Sequence, residues 1–258
     1  MSYSMLNLAV TKREKQTDTS RKSSLIFDSP MMNNQPYLAI FDLDETLIAA
    51  DSASLWNAFL VQKGLVPATL REKEQYLIKG DVKGPSDMNT CMQATLTPLA
   101  GRDTTAINTL VVEFIEQDIK PALYPDALAR IAWHKKRGDV VLIISAASEH
   151  LVKPIATMLD IKHVIATELE TINGIFTGST KGTLSDKNGK VIKMKAWMKA
   201  HNTQFKGIYG YSDSINDLPM LDAVDRPFAV NPDPALALHA QMHEWTIMDW
   251  RHENNILR

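Results

Sequence analysis

Cysteine is almost missing from this sequence. Cys91 is the only one among 258 residues, which excludes a disulfide framework and points to a reducing compartment, the cytoplasm. No apolar run reaches the length of a membrane span, so no membrane partner is expected. The first ten residues alternate polar and apolar side chains and lack the continuous stretch of a secretory signal. Positive charge is not in surplus either. The 28 lysines and arginines face 30 aspartates and glutamates, and the formal net charge of −2 argues against nucleic acid as the main partner. Neither a P-loop nor a G-x-G-x-x-G motif occurs, so an NTPase and a dinucleotide enzyme are unsupported.

What is there reads as an ordinary soluble globular protein, 45% hydrophobic and 22% charged. The length permits one large domain or a core with an insertion. Residues 1–35 are rich in Ser, Thr, Asn, Lys and Arg without a period, and read as a mobile arm outside the fold. The chain is organised around Tyr37–Ile48, YLAIFDLDETLI. Its apolar start has the length of a buried strand. Asp42 would stand at the carboxyl end of that strand, where open α/β sheets place their ligands. Asp44 would share a face with it, and Thr46 would offer a hydroxyl to the same space.

Helical patterns follow. Ser54–Lys63 carries Leu55, Phe59 and Leu60 on one stripe and stops at Gly64. Pro67 opens a second helix toward Lys79, and a weaker one lies near Asp87–Leu96. Asp103 caps a fourth, with Ile107, Leu110, Val111, Phe114 and Ile115 in helical period, which Pro121 is expected to end. Residues 51–120 thus form a helical insertion between two parts of a core, 36–50 and 121–258. Beyond it strands and helices alternate. A helix from Pro125 turns Leu128, Ile131 and Ala132 inward, and its end, His134–Arg137, reads as solvated. Val140–Ile144 is a buried strand ending at Ser145, and Ser148 caps the next helix. Val164–Ala166 is a further strand, and Asn173-Gly174 signals a hairpin. A helix spans about Val191–His201, a strand Ile208–Tyr211, a last strand Phe228–Val230, and a helix Pro234–Met242. This alternation predicts a doubly wound, mostly parallel α/β sheet.

Chemistry gathers at three strand ends: Asp42, Asp44 and Thr46 at the first, Ser145 at the second, and Asp213 with Asn216 and Asp217 at another. If these strands are neighbours, the groups open onto one crevice. Four aspartates there suit a hard divalent cation such as Mg²⁺. Ser145 with the amides of Ala146 and Ala147 suits a phosphate, and Lys190 supplies the charge that phosphoryl transfer needs.

The order FDLDET, IISAAS, Lys190, YSDSINDLPML resembles the haloacid dehalogenase (HAD) superfamily of phosphatases. The segments IKPALYPDALARIAWHKKRG, SAASEHLVKPIATML, VIATELE and FAVNPDPALALHA resemble its subclass IB, the phosphoserine-phosphatase-like hydrolases. The likeness runs from about Tyr37 to Arg251. It implies a Rossmann-like core with an inserted helical cap, and a Mg²⁺-dependent phosphatase acting on a small phosphate ester such as phosphoserine or histidinol phosphate. Asp42 would be the nucleophile that forms an aspartyl-phosphate, and Asp44 the acid and then the base. Asp42, Asp213 and the Asp44 carbonyl would bind the metal. Asp217 would hold Lys190 or a water on the metal. Thr46, Ser145, Ala146 and Lys190 would bind the phosphoryl oxygens.

Some choices stay open at this stage. Asp51 stands where such enzymes recognise a substrate amine, and it equally suits a helix cap. Arg71 and Arg102 are both candidates for a carboxylate-binding arginine. Lys187 and Lys193 neighbour Lys190, which is preferred because it would directly precede a helix. His239 and His243 are spaced i, i+4 but lack the glutamate of H-E-x-x-H, and Cys91 has no evident partner. Competing readings are a phosphotransferase or mutase on the same fold, and a phospho-aspartate signalling module. Asp44 and the large insertion speak against the module, and a dehalogenase would have no need of Asp44 and Asp213.

Overall fold

A computed structural model describes residues 35–69 and 95–251. The chain divides into Met1–Asn34 and Gln35–Arg258, and the described residues all belong to the second part. The arm expected over residues 1–35 therefore lies almost wholly outside the described residues. So do the helix expected from Pro67 to Lys79, nearly all of the weaker one after it, Arg71 and Cys91.

Seven strands form one sheet in the order β4-β3-β2-β1-β5-β6-β7. They are β1 Leu38–Phe41, β2 Val140–Ser148, β3 His163–Ile172, β4 Ile175–Lys181, β5 Ile208–Ser212, β6 Arg226–Val230 and β7 Thr246–Met248. All neighbouring pairs are parallel except β3 with β4. That pair turns at Asn173-Gly174, whose φ angles of 52° and 78° are those a two-residue turn demands. The doubly wound sheet is as expected.

β1 sits centrally because its sequence tolerates nothing else. All four of its residues are fully buried. Alternation along it sends Ala39 and Phe41 into one apolar cluster and Leu38 and Ile40 into another. The first cluster is closed by α1 (Ser52–Gln62), α2 (Thr104–Phe114), α3 (Pro125–Lys136) and α4 (Glu149–Met158). The second is closed by α5 (Lys187–His201) and α6 (Pro234–Met242). Within the first, Trp56 and Phe59 of α1 meet Phe114 of α2 at 5.3 and 5.6 Å between ring centroids. Burying each such ring stabilises by about 2–3 kcal/mol. No helix among the described residues is long and apolar enough to cross a membrane.

Several local expectations are corrected. Pro121 does not end its helix. After α2 the chain passes through a π-helical stretch, Ile115–Ile119, and one more turn, Lys120–Ala122. The wider stretch precedes a residue that has no amide to donate. In α3 the buried face is Ala127, Ile131 and His134, while Leu128 is 41% exposed and Ala132 is exposed too. His134 is therefore not a solvated helix end. Its Nδ1 lies 2.8 Å from Asp139 Oδ2 and its Nε2 2.9 Å from the Tyr211 hydroxyl. β2 continues past Ser145 to Ser148, with a register shift between Ile144 and Ser148. β6 is not the last strand, since β7 pairs with it. α5 begins at Lys187, so Lys190 lies inside its first turn rather than before it.

Candidate active site

β1 is flanked by β2 and β5, and the chain runs out from β1 to opposite sides of the sheet. This is the switch point at which open α/β sheets leave a crevice. Phe41 pairs with Ile143 and with Tyr211. Asp42 thus leaves β1 one residue before Ser145 leaves the regular part of β2, beside Ser212-Asp213 at the end of β5. The ring of Phe41 stacks on that of Tyr211 at 4.4 Å and 6°. The hydrogen bonds of His134 and Asp139 hold Tyr211 in turn, so both strand ends rest on one rigid base.

Asp42, Lys190 and Asp217 form a buried chain of charges. Lys190 Nζ is 2.7 Å from Asp42 Oδ1 and 2.6 Å from Asp217 Oδ2. Ser212 donates its hydroxyl to the same Asp217 oxygen at 2.7 Å. The lysine is 3% exposed and, of the three neighbouring lysines, is the one paired with these carboxylates. Lys193 instead donates to the Ala166 carbonyl and to Ser185 Oγ. Burial works against the Lys190 charge, but Asp42 and Asp217 together outweigh it and raise its pKa. Burial raises Asp42 well above the usual carboxylate range; Lys190 opposes that rise, and Asp217 and Asp213 add to it.

Thr46 Oγ1 donates to Asp213 Oδ1 at 3.0 Å. Asp213 is pushed up to about 6, chiefly by burial, with Thr46 pulling the other way. Asp44 points elsewhere. Its Oδ1 accepts the Ser52 amide at 2.9 Å, and burial followed by the nearby Asp51 charge raises it to about 7. Of the four expected aspartates, Asp42 and Asp217 share Lys190, Asp213 joins Thr46 beside them, and Asp44 is turned toward α1. Directly after Asp44 the left-handed Glu45, at φ 53°, turns the chain away.

Ser145 is buried, and its Oγ accepts the Ala147 amide at 3.0 Å. The Ala146 carbonyl accepts the Thr167 hydroxyl at 2.8 Å, which fixes the backbone behind Ser145. Asn216 is exposed, and its amide is held by Ser214 Oγ at 3.2 Å. Asp51 caps α1, accepting the Ser54 amide at 2.7 Å. Arg102 Nε donates to the Pro98 carbonyl at 2.7 Å and its Nη2 to the Leu65 carbonyl at 2.8 Å. Its guanidinium thus braces backbone. Asp233 went unnoticed in the sequence. It caps α6, holds the Ile215 amide at 2.8 Å, and gives its own amide to the Asp213 carbonyl at 2.7 Å. The Asp-Pro that opens α6 was the available signal.

Three carboxylates around one ammonium leave two negative charges uncompensated when all are ionised. Such an oxygen-rich, charge-deficient set fits a hard divalent cation. Among the described residues no group of three or more His, Cys, Asp or Glu side chains is drawn together as a metal cage. Mg²⁺ needs none, since it is held by one or two carboxylates with waters and substrate oxygens.

The family model described as haloacid dehalogenase-like hydrolase matches residues 39–222. A curated protein named histidinol-phosphatase from Neisseria meningitidis is 35% identical over 219 residues, covering 83% of this chain and 99% of that protein. A protein of unknown function from Bordetella pertussis has a solved structure with a TM-score of 0.78 and 30% identity, covering 84% of this chain and 100% of that one. A substrate-bound phosphoserine phosphatase complex superposes with a TM-score of 0.61 at 20% identity, over 83% of this chain and 93% of that one, a likeness of fold.

Proposed function

Because this chain belongs to the haloacid dehalogenase-like hydrolase family, we propose that it is a Mg²⁺-dependent phosphatase of small phosphate esters working through an aspartyl-phosphate. The observation that carries the reading is the Asp42–Lys190–Asp217 chain at the switch point of the sheet. Lys190 holds one Asp42 oxygen and leaves the other to attack phosphorus, which expels the alcohol and places the phosphoryl group on Asp42. The ammonium is then beside the charge that develops on the phosphoryl oxygens. Ser145, with the backbone behind it fixed by Thr167, binds the same group, together with Thr46.

Asp44 is the proton carrier. Its raised pKa lets it arrive protonated near neutral pH, give that proton to the leaving alcohol, and then accept one from the water that hydrolyses the aspartyl-phosphate. Asp42 and Asp213 would hold Mg²⁺ with the Asp44 carbonyl. When bound, the ion neutralises charge on the phosphate. Residues 51–120, including α1 and α2, would act as the cap that excludes bulk water. The relative named histidinol-phosphatase supports an amino-alcohol phosphate as substrate. The test is phosphate release from a panel of phosphorylated metabolites with Mg²⁺ and with EDTA. Release that requires Mg²⁺ is expected, and a folded protein that releases none from any member overturns the reading.

A further inference from the structure

Close to the buried Ser52 hydroxyl beside Asp44, two buried polar atoms have no hydrogen-bond partner: Trp56 Nε1 and His150 Nε2. Such atoms are uncommon, because a sealed donor or acceptor forfeits its hydration. With Ser52 they form a row. Ser52 gives its amide to Asp44. Trp56 follows one turn later on the same face of α1. Its ring meets that of His150 edge-on, with centroids 5.6 Å apart. His150 lies at the start of α4, and its Nδ1 is 2.9 Å from Ser148 Oγ, which leaves Nε2 as its free nitrogen. The row leads away from Asp44, the group that must touch the leaving alcohol.

The row carries no formal charge. The indole only donates, and the hydroxyl both donates and accepts. Burial pushes His150 down to about 3, so its imidazole stays neutral. Aromatic faces surround it, with Phe59 stacked on Trp56 at 5.5 Å and Phe176 edge-on to His150 at 6.2 Å. Arg102 is already committed to two carbonyls. Lys190 is already paired with Asp42 and Asp217, and Lys153 with Glu149. A neutral nitrogen heterocycle would offer both an N–H and a lone pair, and would pack among the rings.

We propose that Ser52, Trp56 and His150 set specificity by receiving a neutral, planar, nitrogen-bearing ring on the leaving alcohol. This rests on the phosphatase reading and adds the head group to it. The three atoms are sealed in this arrangement, so α1 draws back from α4 to admit the ring and closes again upon it.

The test compares kcat/KM for L-histidinol phosphate with that for phosphoethanolamine, an amino-alcohol ester without a ring, and for O-phosphoserine, all with Mg²⁺. Wild type is expected to favour histidinol phosphate over both. Trp56→Phe keeps the ring and removes the N–H. It is expected to lower the ratio of histidinol phosphate to phosphoethanolamine about tenfold, mostly through KM. Ser52→Ala, the mildest change, and His150→Phe are expected to lower the same ratio, with thermal melts confirming a folded protein. An unmoved ratio in all three variants, or a wild type that prefers phosphoserine, overturns the proposal and leaves the phosphatase reading intact. Failure of that reading shows differently, as no phosphate release from any ester, p-nitrophenyl phosphate included.

Discussion

Lys190 and Asp42 are 148 residues apart in the chain and 2.7 Å apart in the fold. The helix that carries Lys190 packs on the second face of the sheet, and its ammonium reaches the end of the central strand to stand between Asp42 and Asp217. Removing one partner of a buried ion pair leaves an uncompensated charge, which costs about 3–5 kcal/mol. Lys190→Met is therefore expected to lose about 3 kcal/mol of stability in EDTA and to recover part of it with Mg²⁺. Urea unfolding under both conditions checks this. Equal stability of variant and wild type in EDTA would show that the pair does not hold the site.

The carboxylates make metal-free stability depend on pH. Asp44 and Asp213 sit at about 7 and about 6, against 3.8 for an ordinary aspartate, with burial the main cause for both. Between about pH 4 and pH 7 the folded protein binds more protons than the unfolded chain, so their contribution is full below this window and lost as pH rises through it. In EDTA the urea midpoint of wild type, relative to the Asp44→Asn, Asp213→Asn double variant, is expected to fall from pH 4 to pH 7. A difference that is flat or rising would contradict it.

Asp51 acts on Asp44 as well as capping α1. Its charge is the second cause, after burial, of the raised Asp44 pKa. Asp51→Asn keeps a capping oxygen and removes that charge. The alkaline fall of kcat/KM, set by loss of the Asp44 proton, is expected to move to lower pH in this variant. A pH–rate profile that superposes on wild type would dissociate the two residues.

His134 is structural despite its place at a helix end. His134→Leu would leave Asp139 and the Tyr211 hydroxyl short of a partner under the Phe41–Tyr211 stack. A loss of about 2 kcal/mol is expected from buried groups left unmade, read as a lower urea midpoint at unchanged slope. No change in midpoint would mean that these hydrogen bonds are dispensable.

Much of this arrangement was legible in the residues themselves. Continuous apolar runs such as Leu38–Phe41 and Val140–Ile144 can only be buried on both faces, and the reactive groups follow them directly. The strand ends that carry Asp42, Ser145 and Asp213 were readable for that reason. Lys190 was preferred on a mistaken boundary, since nothing in Lys187–Lys190 announces that the helix has begun. Pro121 misled because a π-helical stretch runs into it, and a proline has no N–H that the wider turn could leave without a partner. Leu128 and His134 exchanged their expected places because Asp139, just past the helix, and Tyr211, distant in sequence, satisfy a buried imidazole. Trp56 and His150 gave no sign at all, because an atom without a partner is visible only when its neighbours are.

The claim that Asp42 is the nucleophile is tested most directly by acid quench during turnover, followed by peptide mapping of the wild-type protein and of Asp42→Asn. The expected result is a phosphoryl group on Asp42 in wild type, and neither label nor phosphate release in the folded variant. A label on another residue, or turnover that persists in Asp42→Asn, would contradict the account.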